Sequence, residues 1–578
     1  MRLRALKLGA WLLAVLLAGD ARSAGLGFVY VSANVGLASG GHGALVAGDT
    51  VYHLQNSPEG LLLLVREGWS SFHTVYAELE NRPLVVARLD AAPEVTGQVE
   101  AAFARLYVAQ EIALARRDSL REDVAWLEAA ASGRPAPPLR GLGLVDPQSP
   151  GDPDALRLRA QAGDDAVAAL RADAEREVES LSAVPEPGRL ETLREALTLR
   201  EAARALDAGD ALDPAALAAL PAEVDSPLSA DERAGLEALA QRMAETVREL
   251  VASKRHDRGY ALLLAQARAL AARRSLAIGR LAVLDAFSGT PDVSLATDAS
   301  DSVRAKWREQ AAGLLRRARQ EVLAKGVVDE ADWNLVEEVA AINARDGRAD
   351  AAGQLSEFGR RKLPARARAV PTPPLVGDVG AALAAARARL TAAEAELERR
   401  WAYDLVHHNC MTELGRTTDT AFSTPEEEVR ALGGVTQPEG RALGFVPFVF
   451  FDRVRESLRV RELAYFPSHR ERELERVLEA SPGLATRARE SLAYTSSIYT
   501  PLPRDSAFLL FTDDVFWRRP VYGGVNLLFA LGYTGYGVAA LPFDGGVRAK
   551  AGLEGMLWSL PELGFVNVRK GSFDWAGE

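Results

Sequence analysis

Strand-forming and helix-forming residues occupy separate stretches of this chain, and that separation limits what it can fold into. From about Gly25 to Asp90, β-branched residues, aromatics and glycines gather in short runs: FVYVSANVG, HGALVAGDTVYHLQ, LLLLVREGW and RPLVVARLD. Such runs read as strands joined by tight turns, a small sheet. From about Glu94 to Arg400 the chain turns to Ala, Leu, Arg and Glu at helical spacing, broken by Pro/Gly stretches such as GRPAPPLRGLGLVDPQSPGDPD and LPARARAVPTPPLVGD. Within it, Ser229-Ala-Asp-Glu232 has the spacing of a capping box. Strands followed by a long run of helices predict an α+β chain. At 578 residues, two to four cooperative units are expected, each large enough to bury its own core.

The first residues have the pattern of a secretory signal: Arg2, Arg4 and Lys7, then LGAWLLAVLLAG, then Ala21-Arg22-Ser23 with small residues where a signal peptidase reads. The expectation is export to the periplasm or envelope of a bacterium, with residues 1–23 removed. In an oxidising compartment a lone cysteine is not there to form an internal disulfide, and Cys410 is the only one in the chain. A net charge of −11 argues against nucleic acid as a partner. The uncharged run Val521 to Leu541 is long enough to cross a bilayer. Its five glycines and Asn526 suit close packing, and Arg518-Arg519 would stand on the exported side against the positive-inside rule. A glycine-rich helix or hairpin buried in the protein is therefore expected there, with membrane association left open.

GGHGALVAGDTVYHLQ can be read quantitatively as a hairpin with Gly48-Asp49 as a two-residue turn. Ala47 then faces Thr50, Ala44 faces His53 and His42 faces Gln55. Period-two alternation puts His42 and His53 on one face as diagonal neighbours, roughly 7–8 Å apart at Cα. A three-residue loop would separate them. Two histidines in that register beside Gly40, Gly41 and Gly43, in a chain with seven histidines, point to a site rather than a packed patch.

Far downstream lies YDLVHHNCMTEL, residues 403–414. A helix ends near Asp404, and Cys-Met-Thr-Glu-Leu can start another with Asn409 as N-cap. A thiol in a first helical turn feels the positive end of the helix dipole, and a histidine beside it would lower its pKa further. The same amides would face the oxygen of a tetrahedral intermediate.

A histidine, a second about a dozen residues on after a Gly-Asp turn, and Asn-Cys at a distant helix start together resemble the circularly permuted branch of the NlpC-type papain-like hydrolases. Lecithin:retinol acyltransferase-like proteins have the same order. Within that branch, YDLVHHNCMTEL and the late SLPELGFVNVRKG are most similar to the bacterial Lnb N-terminal periplasmic domain family. The resemblance covers roughly residues 25–95 and 400–460, and does not account for the long helical zone. It implies a permuted papain-like domain split between residues 24–95 and 377–460, an all-helical insertion at 96–376 and a C-terminal extension at 461–578. It also implies Cys410 as nucleophile, His42 as the base that takes its proton and His53 as the group orienting the imidazole. Tyr403, Asn409 and His408 are supporting candidates for substrate or oxyanion contacts, with Asn409 first of all a cap. No cofactor or metal is implied. The expected chemistry is acyl transfer from an amide or ester of envelope peptide or lipid, through a Cys acyl-enzyme.

Two other readings stay open. His42, His53, His407 or His408, and Cys410 are ligand types that zinc accepts, although close-spaced pairs such as Cys-x-x-Cys are absent. Alternatively the chain is a non-catalytic periplasmic scaffold whose helical zone binds a protein partner. His73 could line a cleft, while His256 and His469, set among charges, read as solvated.

Overall fold

The computed structural model describes residues 25–32, 41–57, 59–181, 189–290 except 221 and 223, 292–298, 301–323, 328, 330–345, 354–358, 363–437, 445–499, 505–511, 516–566, 568 and 570–571. The expected leader, residues 1–23, lies outside them. The chain is mixed α+β and divides into two compact units, one of residues 1–115 and 394–578, the other of residues 116–393.

The first unit is built on one antiparallel sheet. Its strands are β1 (Leu26–Val31), β2 (His42–Ala47), β3 (Thr50–Asn56), β4 (Leu62–Gly68), β5 (Leu84–Leu89) and β6 (Val460–Phe466), in the spatial order β6-β5-β1-β2-β3-β4. The late strand β6 thus closes one edge beside β5, so residues far apart in sequence share the sheet. The β2–β3 hairpin has the register read from the sequence: Ala47 faces Thr50 and Ala44 faces His53. Gly48 takes φ +61° in the two-residue turn, a conformation that only glycine adopts without cost. Pairing with β3 ends at Ala44–His53, whereas β2 continues along β1 to Val31–His42. The expected His42–Gln55 pair therefore lies beyond the ladder.

The sheet's two faces have different partners. Helix α1 (Trp69–His73) and the following turn cover one of them, with Phe72 and Tyr76 packed on Val29, Ala44 and Val51. The other face, carrying Phe28, Leu45 and Tyr52, is covered by the start of α2 (Pro93–Ala131), by α3 (Cys410–Asp419) and by α4 (Pro447–Ser457). Phe103, Met411, Leu414 and Phe450 fill that layer. Each such side chain contributes about 1.5–3 kcal/mol on leaving water, so α3 is held firmly against β2 and β3.

The second unit is mainly helical, with the antiparallel pair Ala230–Ala252 and Gly259–Ile278 at its core. The Ser229–Glu232 capping box forms as the spacing predicts. The expectation of an all-helical insertion is corrected. Val145–Asp146 pairs with Ala211–Leu212, and Asp292–Asp298 pairs with Gln354–Phe358. The alternation in DVSLATD is a strand signal, and the Ala/Leu/Arg-rich composition around it hides that signal in any longer window.

The uncharged C-terminal run lies within one helix, α5 (Arg519–Asp544), as the helix alternative expected, and α5 pairs with α6 (Val547–Leu563) in a hairpin. It is not buried: only 22 % of the most apolar stretch of α5 is covered. The glycines do serve close packing, but of the two helices against each other. A Cβ at Gly537 would collide with Ala549, and one at Gly552 with Thr534.

Candidate active site

His42 and His53 are brought together as the register requires. His42 Nε2 lies 3.0 Å from His53 Nδ1, and His53 Nε2 lies 2.7 Å from Glu67 Oε1. The His53 side chain is fully buried and that of Glu67 nearly so. With Glu67 ionised and therefore only accepting, His53 carries its proton on Nε2 and accepts at Nδ1. His42 then donates from Nε2, and its lone pair stands on Nδ1. Tyr76 stacks on the His42 ring with centroids 5.4 Å apart, and its hydroxyl accepts from Gln55 Nε2 at 3.1 Å. Phe72 sits edge-on to His53.

Glu67 is the residue the sequence reading missed. Its signal was present: β4 pairs Val65 with His53, so Glu67, two residues on, shares the face of His53. Extending the hairpin register by one strand would have found it.

Cys410 opens α3, as expected. Asn409 caps the helix: its Oδ1 accepts from the amides of Met411 and Thr412 at 2.9 and 3.0 Å, and its Nδ2 donates to Leu405 O and Phe445 O. The buried Asn409 thus joins the helix start to two loops. The cysteine reaches the histidine strand through the backbone: α3 packs on β2, and the amide of Gly43, next to His42, lies close enough to the sulfur to favour its thiolate, as do the amides of Cys410 and Met411. A Cβ at 43 would overlap the far end of the Met411 side chain, so an alanine there needs that side chain to shift. The histidine rings lie on the face that α1 covers, whereas α3 covers the other. Cys410 comes to the histidine strand at Gly43, near the start of β2.

The thiol differs from expectation in its protonation. Cys410 keeps some exposed surface as a residue, yet its sulfur is deeply desolvated, and this pushes its pKa up to about 11. The three amides favour the thiolate but do not offset the loss of water. At neutral pH the resting group is a thiol, not the preformed thiolate expected from the helix dipole.

Among the supporting candidates, Tyr403 is 41 % exposed, with its pKa raised by burial first and then by the Cys410 and Asp404 charges. His408 Nδ1 bonds to Ala402 O at 2.6 Å and holds the turn before the capped helix; His407 is exposed beside Asp404. His73 packs against Trp69 and Phe466. His256 is exposed, as expected. His469 is not solvated: it is buried in the first turn of the helix that Ser468 caps, where its neighbouring charges gave no hint of burial. Among the described residues, no three His, Cys, Asp or Glu side chains are grouped as ligands for a metal ion, so the alternative zinc set is not assembled.

No protein-family model matches the chain, and neither a curated protein nor a solved structure is significantly similar to it.

Proposed function

We propose that this protein is an exported cysteine hydrolase or acyltransferase of permuted papain-like type, acting on an amide or ester of envelope peptide or lipid. The observation that carries the reading is a helix-start cysteine set beside the Gly43 amide of the strand that bears the His42–His53–Glu67 relay.

In the reaction, His42 Nδ1 takes the Cys410 proton as the sulfur attacks the carbonyl carbon. With a resting thiol whose pKa is about 11, proton removal and attack are coupled rather than sequential. The carbonyl oxygen becomes an oxyanion that the Cys410 amide can stabilise, the amides of Met411 and Thr412 being held by the Asn409 cap. His42 returns the proton to the leaving nitrogen or oxygen as the C–N or C–O bond breaks, which leaves an acyl-Cys410. Water or another nucleophile then attacks the thioester, giving its proton to His42, and the sulfur departs and is reprotonated. His53 and Glu67 keep the His42 lone pair on Nδ1 throughout and stabilise the imidazolium.

The test is labelling by an acylating thiol probe. Wild type should label, and Cys410→Ala and His42→Ala should not. Equal slow labelling of wild type and His42→Ala would overturn the assignment and favour the scaffold reading. Weighing the Cys410 adduct trapped from an envelope extract would identify the acyl group.

A further inference from the structure

We propose that the α5–α6 hairpin is embedded in the hydrocarbon of a lipid bilayer and seats the cysteine-bearing unit on it. This does not rest on the reaction above. From Pro520 to Phe543 the chain runs 24 residues without a charge, all in helix. At 1.5 Å per residue that is about 36 Å, enough to cross a hydrocarbon core of about 30 Å. A helix of this kind is ordinarily the core of a soluble protein or a signal sequence. Here it is neither, since it lies near the C-terminus and Leu528 and Phe543 are 71 % and 89 % exposed.

The polarity of the hairpin is reversed relative to a helix pair in water. Its outer surface is apolar on both helices, with Leu531 and Val538 on α5 and Leu553, Leu557 and Leu560 on α6. Several of its polar side chains turn inward and are hydrogen-bonded, and the fully buried Glu562 is paired with Lys570. Thr534 Oγ1 donates to Ala530 O at 2.8 Å and Ser559 Oγ to Gly555 O at 2.5 Å. Buried Asn526 accepts from the amides of Leu509 and Leu510. The seam is made of small residues, Gly523, Gly537, Gly552 and Gly555, which allow the backbone approach typical of helices packed in lipid. The more exposed charges of α6 lie within about two turns of the hairpin loop and are paired, Arg548 with Asp544 and Lys550 with Glu554. A protein partner or a second copy would be expected to meet a polar rim around such a surface, whereas α5 carries no charge along its whole middle.

The experiment uses the full chain, purified in detergent and mixed with phosphatidylcholine vesicles, or with an equimolar phosphatidylcholine–phosphatidylglycerol mixture, as the detergent is removed. Flotation is then measured at low salt and at ~1 M NaCl, where exposed charges are screened. Wild type should float with both vesicles at both salts. Leu528→Asp with Leu531→Asp, at exposed positions, should lower the vesicle-bound to free ratio by at least ~100-fold. Gly532→Leu adds an apolar side chain where a Cβ meets nothing within 4 Å and should float as wild type does. Release by salt, flotation of the double variant equal to wild type, or loss of flotation in Gly532→Leu would each overturn the proposal. So would a vesicle-free wild type that sediments as a monomer, or as a dimer that the double variant disperses; the dimer would show a second copy covering the face.

Discussion

Glu67→Gln tests the relay most sharply, because it changes one atom of the carboxylate and, when the amide N–H faces His53, reverses the direction of two hydrogen bonds. In wild type, Glu67 accepts at 2.7 Å from His53 Nε2, and His53 Nδ1 accepts at 3.0 Å from His42. A glutamine can donate its amide N–H to His53 Nε2. That ring would then carry its proton on Nδ1 and donate to His42 Nε2, moving the His42 proton to Nδ1, the nitrogen that must act as base. The wrong tautomer at a catalytic histidine costs about 10⁴-fold in rate where the geometry is otherwise kept, so a fall of ~10³–10⁴-fold in Cys410 acylation is expected. Stability should change far less, by about 1–3 kcal/mol for exchanging a charge-assisted hydrogen bond for a neutral one around a fully buried histidine. The assay is the rate of probe acylation at Cys410 against pH, alongside urea unfolding. Nitrogen-15 spectra of the seven histidines provide a readout independent of activity. In wild type the fully buried ring should be protonated on Nε2, and in Glu67→Gln on Nδ1. A folded Glu67→Gln protein whose buried histidine has switched its proton to Nδ1 yet acylates at the wild-type rate would refute the relay.

Three further outcomes follow from the first unit. Burial pushes Glu428, which shares Thr436 with Asp419, up to about 7 from an ordinary 4.5. The folded state therefore holds its proton more tightly than the unfolded chain, and the stability this confers below pH 4.5 is lost as pH rises through 7. Integrated over that window the loss is about 3 kcal/mol, so Glu428→Gln should flatten denaturant stability between pH 5 and 8; an unchanged slope would contradict it. Titrating Cys410 by thiolate absorbance should give a midpoint near 11, and a midpoint below 7 would restore the preformed thiolate. Gly43→Ala forces its new methyl onto Met411 and should cost about 1–3 kcal/mol while slowing Cys410 acylation; wild-type stability and rate would show that β2 and α3 do not meet as described.

The sequence by itself determined what is local. Gly48-Asp49 set the hairpin register, and with it the common face of His42 and His53, because the alternation of side chains in a strand is geometry rather than context. Asn409 marked the helix start, because a capping side chain bonds to amides two and three residues away. Only the tertiary structure decided what depends on long-range neighbours. Glu67 acquires its role through a third strand, and β6 joins the sheet from more than 360 residues beyond its partner β5. The thiol's protonation was misread because the helix dipole is visible in sequence whereas desolvation is a sum over packed atoms from several elements. The same limit applied to Val521–Leu541. Composition shows that a segment is apolar and able to pack closely, but whether its apolar side faces protein or solvent depends on what the rest of the chain brings against it.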